Sequence, residues 1–426
     1  MYKKTLLIVV FSMFILSSQC MANLSSYINK PESDYMWEKV SEKDVSGGKI
    51  YELHMVSQKW EGIIWKHKIQ VFYPDKVEHP EFCTVFNTGG NGHSMVDLAG
   101  ITLARSCGTP LAVLWNVPNQ PLFNGKREDA LIAYSFLKFF ETGNEEWPLL
   151  FPMVKSVVKS MDSLEVFSKQ EGLIPVRKFI VTGVSKRGWT SWLTGASEDG
   201  RVKAIVPMVI DTLNMKKQME RQVKIYGKVS DKIHDYRDTG ILDKLSTEEG
   251  AKLLSMVDPY SYREKLTIPK LIVNGTNDRY WTLDGLNLYW DDLTGPKWIL
   301  YVPNSGHRLE DTGKVINTVT AFIYTIAGGK KFPEPAWHFK DSPEGSVLNI
   351  FSDIKPESVA VFKSFSMEKD FRNATWKSEP VYEQGGIYCY HMEHPKRGYC
   401  AFFGEVNYDI KGRDFSLSTQ IKILSR

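Results

Sequence analysis

Hydrophobic and polar positions change period along this chain, and the changes divide it. From Lys49 to Trp60 (KIYELHMVSQKW) and from Ile63 to Pro74 (IIWKHKIQVFYP) the two kinds of residue alternate. That period predicts a pair of antiparallel strands, each with one buried face. Short, continuously apolar runs follow in CTVFNTGGNG, TPLAVLWNVP, KFIVTGVS, VKAIVPMVID, PKLIVNGTND and KWILYVPNSGH, each ending in turn residues. Such runs read as strands buried on both faces. Between them, KREDALIAYSFLKFF and PMVKSVVKSMDSLEVFSK place apolar residues at three- and four-residue intervals, the spacing of amphipathic helices. TGKVINTVTAFIYTIAGG is a closing helix of the same kind, stopped by glycine.

Antiparallel strands that lead into a strand–helix alternation predict an α/β protein with a mostly parallel central sheet. Residues from about 212 to 258 interrupt it with a charged, helical stretch that begins TLNMKKQMERQVKIYGK. An insertion of that length between two core strands is expected to lie over the strand ends as a helical cap. From about Pro333 the texture becomes short alternating runs (SVLNIFS, SVAVFKSFS, GYCAFFGEVNY, FSLSTQIKIL) separated by Gly, Pro, Asp and Asn, the mark of a small all-β sandwich. The expected domains are therefore 23–332, α/β, and 333–426, a β-sandwich.

Composition narrows the class. With 42% hydrophobic and 24% charged residues in 426, the chain is a folded protein without low-complexity tracts. A net charge of +3, from scattered basic residues, gives no footprint for nucleic acid. The N-terminus runs MYKK, then TLLIVVFSMFIL, then SSQCMA, which has the charged, apolar and small-residue parts of a secretory signal cleaved after Ala22. The apolar run is short for a membrane span, and Gln19 before Cys20 argues against a lipoprotein signal. The expected place is the periplasm or outside the cell. There, four remaining cysteines favour disulfides. Cys389 and Cys400 flank a stretch that folds back as a hairpin, and Cys83 and Cys107 flank a βα unit; these are the expected pairs, with the other two connectivities open.

Candidate chemistry centres on FIVTGVSKRGWTSWLTGA, where Ser185 stands between an apolar strand and a helix. Small residues around a serine at such a bend let the backbone turn sharply and lift the hydroxyl clear of the sheet. The pattern here is Gly-x-Ser-x-x-Gly, with Gly183 and Gly188. By itself it also fits a serine N-cap. A serine nucleophile needs a base, and the base an orienting acid. Asp278 ends the strand of PKLIVNGTND and His307 that of KWILYVPNSGH, in the chain order Ser, Asp, His that this arrangement requires. Asp284 and Asp311 are neighbouring alternatives for the acid, and His93 precedes the serine. The expected oxyanion donors are the backbone N–H of Lys186 and those of Gly90 and Asn91 in NTGGNGH. Arg187, Trp189, Tyr280, Trp281 and His93 are expected near the pocket, and Arg127 and Arg187 are candidates for receiving a substrate carboxylate. No His-Glu-x-x-His or similar cluster calls for a metal, and no cofactor is expected.

VPNQPLF, REDALIAYSF, WPLLFPMVKSVVKSMD, GVSKRGWTSWL, NGTNDRYW, DFRNATW and GYCAFFGEV together resemble the PhoPQ-activated pathogenicity-related protein family over nearly the whole mature chain. The resemblance implies an exported bacterial protein with an α/β-hydrolase fold. It also implies regulation by a two-component system that senses low magnesium and antimicrobial peptides, and a link to virulence. The resemblance carries the roles of nucleophile, acid and base onto Ser185, Asp278 and His307. The expectation is a serine hydrolase, peptidase or esterase, working through an acyl-enzyme. The competing expectation is a binding or secreted regulatory protein that keeps the fold without turnover.

Overall fold

A computed structural model of the chain describes residues 24–90, 92, 97–410 and 412–426. The expected signal segment, Asn91 and His93 lie outside the described residues. Three antiparallel strands, β1 (Met36–Val45), β2 (Gly48–Trp60) and β3 (Ile63–Pro74), open a nine-stranded sheet. It continues with β4 (Phe82–Asn87), β5 (Leu111–Leu114), β6 (Lys178–Val184), β7 (Val202–Met208), β8 (Lys270–Gly275) and β9 (Lys297–Val302). Their order is β1-β2-β3-β5-β4-β6-β7-β8-β9. β5 joins β3 antiparallel, and every pairing from β5 to β9 is parallel. β2 and β3 pair as their alternation predicts. β1 was not legible, because nearly all its residues are exposed on both faces and leave no hydrophobic period.

Because side chains alternate along a strand, the central strands feed two cores. Phe179, Val181, Ile205 and Ile272 point to one, which holds the helices α3 and α4 described below. Ile180, Val206, Leu271 and Val273 point to the other, which holds Ala321, Phe322 and Ile323 of the closing helix Thr312–Ala327. The first helices in chain order are α1 (Leu24–Asn29), α2 (Asp97–Cys107), α3 (Glu128–Thr142), α4 (Leu150–Gln170) and α5 (Lys186–Gly195). α4 buries Phe151, Val154, Val157, Met161 and Leu164, the positions its three-and-four spacing marks. Among the described residues, no helix is long and apolar enough to cross a membrane.

The stretch between β7 and β8 is helical at Met215–Tyr226, His234–Arg237, Ile241–Lys244 and Glu248–Val257. Asp258 ties its two ends together, accepting the N–H of Asn214 at 3.3 Å, of Met215 at 2.7 Å and of Tyr260 at 2.9 Å. After Pro333 the chain forms a four-stranded and a five-stranded antiparallel sheet. They pack closely: the Phe339 and Phe402 rings lie 5.6 Å apart, and a Cβ on Gly404 would fall 2.3 Å from Ile350.

The expected disulfides are a correction. Cys83, Cys107, Cys389 and Cys400 are all free thiols. Cys389 lies in Ile387–Glu393 of the four-stranded sheet and Cys400 in Tyr399–Asp409 of the five-stranded one, so the hairpin does not form. Cys83 belongs to one core and Cys107 to the other, on opposite faces of the central sheet. Burial pushes both of these thiols up to about 12.

Candidate active site

The bend between β6 and α5 is as tight as its glycines require. A Cβ on Gly183 would fall 2.6 Å from the Arg187 carbonyl oxygen, and one on Gly188 would fall 2.7 Å from Ile210. Ser185 itself takes φ 57 and ψ −123, a conformation disfavoured for a residue with a side chain. Its N–H donates to the Met208 carbonyl at 2.8 Å, and its own carbonyl accepts from Trp189 N–H at 3.0 Å. The backbone is thus held from both β7 and α5, and Oγ stands out from the helix start without capping it.

His307, in the loop after β9, meets that hydroxyl. Its Nε2 lies 2.9 Å from Ser185 Oγ, and its Nδ1 lies 2.8 Å from Asp278 Oδ2. An ionised carboxylate only accepts, so Nδ1 carries the ring proton and Nε2 is left to accept from the serine hydroxyl. The other oxygen of Asp278 accepts the Tyr280 N–H at 2.8 Å, and the Tyr280 ring stacks on the imidazole with centroids 4.1 Å apart. Asp278 is buried. The two neighbouring aspartates are occupied elsewhere: Asp284 pairs with Arg221, and Asp311 caps the closing helix through Lys314 N–H.

The loops that carry Asp278 and His307 are fastened to the loop of residues 371–376, between two strands of the five-stranded C-terminal sheet. Asn277, beside Asp278, donates its side-chain amide to the carbonyls of Ala374 at 2.7 Å and Phe371 at 3.3 Å. Asn304 exchanges two hydrogen bonds with the Trp376 backbone, at 2.7 and 3.1 Å. An imidazole displaced by about 1 Å loses on the order of 10²-fold in rate. Asn277→Ala is therefore expected to lower kcat by about that factor with KM little changed, which steady-state kinetics on an activated ester would read. An equal loss through KM alone would assign this contact to substrate binding.

Ser185, Trp189, Tyr280, Trp281 and His307 line one cavity. Arg187 does not. It is buried beneath the elbow, where it makes a bidentate pair with Glu128 at 2.6 and 2.8 Å and donates Nε–H to the Val117 carbonyl at 2.5 Å. Each of its three guanidinium nitrogens already donates within the fold, and it does not line the cavity, so the expected carboxylate-receiving role for Arg187 is withdrawn. Burial works against the charged form of Glu128, but the hydrogen bonds and charge of Arg187 outweigh it and hold the carboxyl at about 2. Arg127 sits exposed at the start of α3. Gly89 lies against Arg187, close enough that a Cβ would fall 2.3 Å from it, which brings the loop after β4 beside the elbow. Gly90 belongs to that loop and has φ 77, open to glycine at no steric cost.

Sequence reasoning missed two parts of the site. Asp129 accepts from Lys186 Nζ at 2.9 Å and from the Tyr236 hydroxyl at 3.0 Å, joining α3, α5 and the inserted helices. Two adjacent acids at a helix start were the available signal. Asp211, just past β7, is fully buried near Asp278 and accepts from the Tyr289 hydroxyl at 2.5 Å. Burial pushes its carboxyl up to about 7, against the lowering effect of Tyr289 and with added repulsion from Asp278. Among the described residues, no cluster of His, Cys, Asp and Glu could hold a metal ion.

Comparison with known proteins places the fold and the family. The chain is 28% identical over 441 residues to autocrine proliferation repressor protein A of Dictyostelium discoideum, covering 94% of this chain and 89% of that one. Among solved structures it resembles acetyl xylan esterase 1 of a Thermoanaerobacterium species, with a TM-score of 0.52 and 14% identity over 71% of this chain and 93% of that one. An acetyl xylan esterase of a Paenibacillus species aligns at a TM-score of 0.47 and 14% identity, over 69% and 91% of the two chains. At such identities what is shared is the fold, that of the α/β-hydrolases. The model of the PhoPQ-activated pathogenicity-related proteins matches residues 24–372, and the chain belongs to that family.

Proposed function

We propose that the chain is an exported serine hydrolase that transfers an acyl group to water through a covalent Ser185 intermediate. The observation that carries this reading is the continuous hydrogen-bonded relay from Ser185 Oγ through His307 to Asp278, set on a strained strand–helix bend. In the first half-reaction Ser185 Oγ attacks the carbonyl carbon and its proton passes to His307 Nε2, while Asp278 stabilises the imidazolium. The oxyanion is held by the backbone N–H of Lys186 and by the loop of Gly90 and Asn91. Collapse expels the leaving group with the proton from His307. Water then repeats the cycle, with His307 again as base, and releases the acid and the free serine.

In this reading the hydrolase domain spans 23–332, with residues 212–258 as a cap over the nucleophile, and 333–426 is a β-sandwich domain that braces the loops of Asp278 and His307. The N-terminal signal directs the protein to the periplasm or outside the cell, where the bond cleaved is a carboxylic ester or a peptide amide. The family's tie to pathogenicity then follows from hydrolysis of a molecule met there.

A fluorophosphonate probe tests the reading, because its phosphorus is attacked by an activated serine with loss of fluoride. Labelling of the wild type is expected, with none in Ser185→Ala. The name of the Dictyostelium relative describes a repressor of proliferation, a role that needs no turnover. A folded wild-type chain that stays unlabelled would move this chain to that second reading.

A further inference from the structure

The cavity at Ser185 is chemically one-sided. Away from the relay its wall is mostly apolar, with Met219, Ile241, Leu245, Leu253 and Val257 of the inserted helices and Phe136 of α3, and with Thr212 as a polar exception. Its two charged side chains outside the relay, Asp129 and Lys186, neutralise each other at 2.9 Å, and the Tyr236 hydroxyl spends its proton on the same carboxylate. A sugar or a charged peptide side chain drawn into this space would lose its water and gain few partners, which is costly. A chain of methylenes needs none and gains from leaving water.

Resting on the acyl-transfer reading above, we infer that this cavity receives the acyl group, and that the substrate is an ester of an apolar carboxylic acid with an alkyl chain. The leaving group must collect its proton from His307 and depart, and the hydrolytic water must arrive there. His307 keeps 22% of its side chain exposed, so that traffic runs on the histidine side. The group that stays on Ser185 through both half-reactions takes the enclosed side, past Trp189 and Phe136.

The test uses the purified full chain. kcat/KM for p-nitrophenyl acetate, hexanoate and octanoate is expected to rise about fourfold per methylene until the cavity is full, roughly two orders of magnitude between acetate and hexanoate. Leu245→Trp, or Ile241→Trp should the first misfold, puts an indole in the cavity and is expected to cut the octanoate-to-acetate ratio at least tenfold. In parallel, calorimetric titration of Ser185→Ala is expected to register octanamide but not acetamide. A flat or acetate-preferring profile in a chain that labels with fluorophosphonate overturns the inference and leaves the hydrolase reading in place. Turnover of an N-acyl-phenylalanine amide in preference to the alkyl esters overturns it in favour of a peptide side-chain pocket. Octanamide binding without probe labelling would instead sink the hydrolase reading while the chain pocket stands. Neither binding nor labelling would remove both.

Discussion

Asp278→Asn is expected to lower kcat by about 10⁴-fold while the protein stays folded and substrate binding changes little. The carboxylate accepts from His307 Nδ1 at 2.8 Å and thereby holds the ring proton on that nitrogen. An asparagine can turn its amide to donate to Nδ1 instead. That moves the ring proton to Nε2, which then cannot take the proton of Ser185 Oγ 2.9 Å away. The charge that stabilises the imidazolium is lost in the same step. Steady-state hydrolysis of an activated ester reads the effect, with Ser185→Ala, expected to lose about 10⁶-fold, as the floor. A loss smaller than tenfold would show that Asp278 does not orient the base. Asp211, a buried carboxyl on which the charge of Asp278 acts, would then become the candidate.

The second large effect is on stability and belongs to Asp211. Its carboxyl stands at about 7 in the folded protein, raised from 3.8 chiefly by burial. Between those values the native state holds a proton that the unfolded chain has released. The contribution to stability is therefore fully present below about pH 4 and is lost as pH rises through about 7. A gap of about three pH units corresponds to on the order of 4 kcal/mol. Asp211→Asn keeps the shape and stays neutral at every pH, so this loss disappears. At pH 8 the variant is expected to be more stable than wild type by several kcal/mol. At pH 4 it is expected to be the less stable by about 1 kcal/mol, since the amide nitrogen cannot accept the Leu286 N–H that the carboxyl accepts. Urea unfolding of both proteins across pH 4 to 8 measures it. The difference between them isolates Asp211 from Asp258, another buried carboxyl, raised to about 6. Parallel pH profiles for the two proteins would mean that Asp211 is ionised throughout.

The order of the central strands with α3, α4 and α5, and the relay, were readable before folding, because both are written in local pattern. Apolar runs closed by turn residues mark the central strands, and Ser185, Asp278 and His307 each follow one of them. Strand ends on one edge of a parallel sheet come together whatever the intervening sequence, so residues at three such ends predict a site. β1 escaped notice because a strand exposed on both faces has no hydrophobic period. The disulfides were misread because even spacing around a turn suggests a hairpin, whereas the chain crosses from one C-terminal sheet to the other between Cys389 and Cys400.

The sequence by itself determined the order of the central strands and of the helices α3, α4 and α5, the bend at Ser185 and the three residues of the relay, since each depends on neighbours a few positions away. Only the tertiary structure decided that Arg187 serves the elbow by pairing with Glu128, that Asn277 and Asn304 fasten the relay loops to the loop of residues 371–376, and that the cavity wall is mostly apolar. Those facts depend on contacts between residues that lie far apart along the chain, and a contact of that kind exists only once burial has chosen which faces meet.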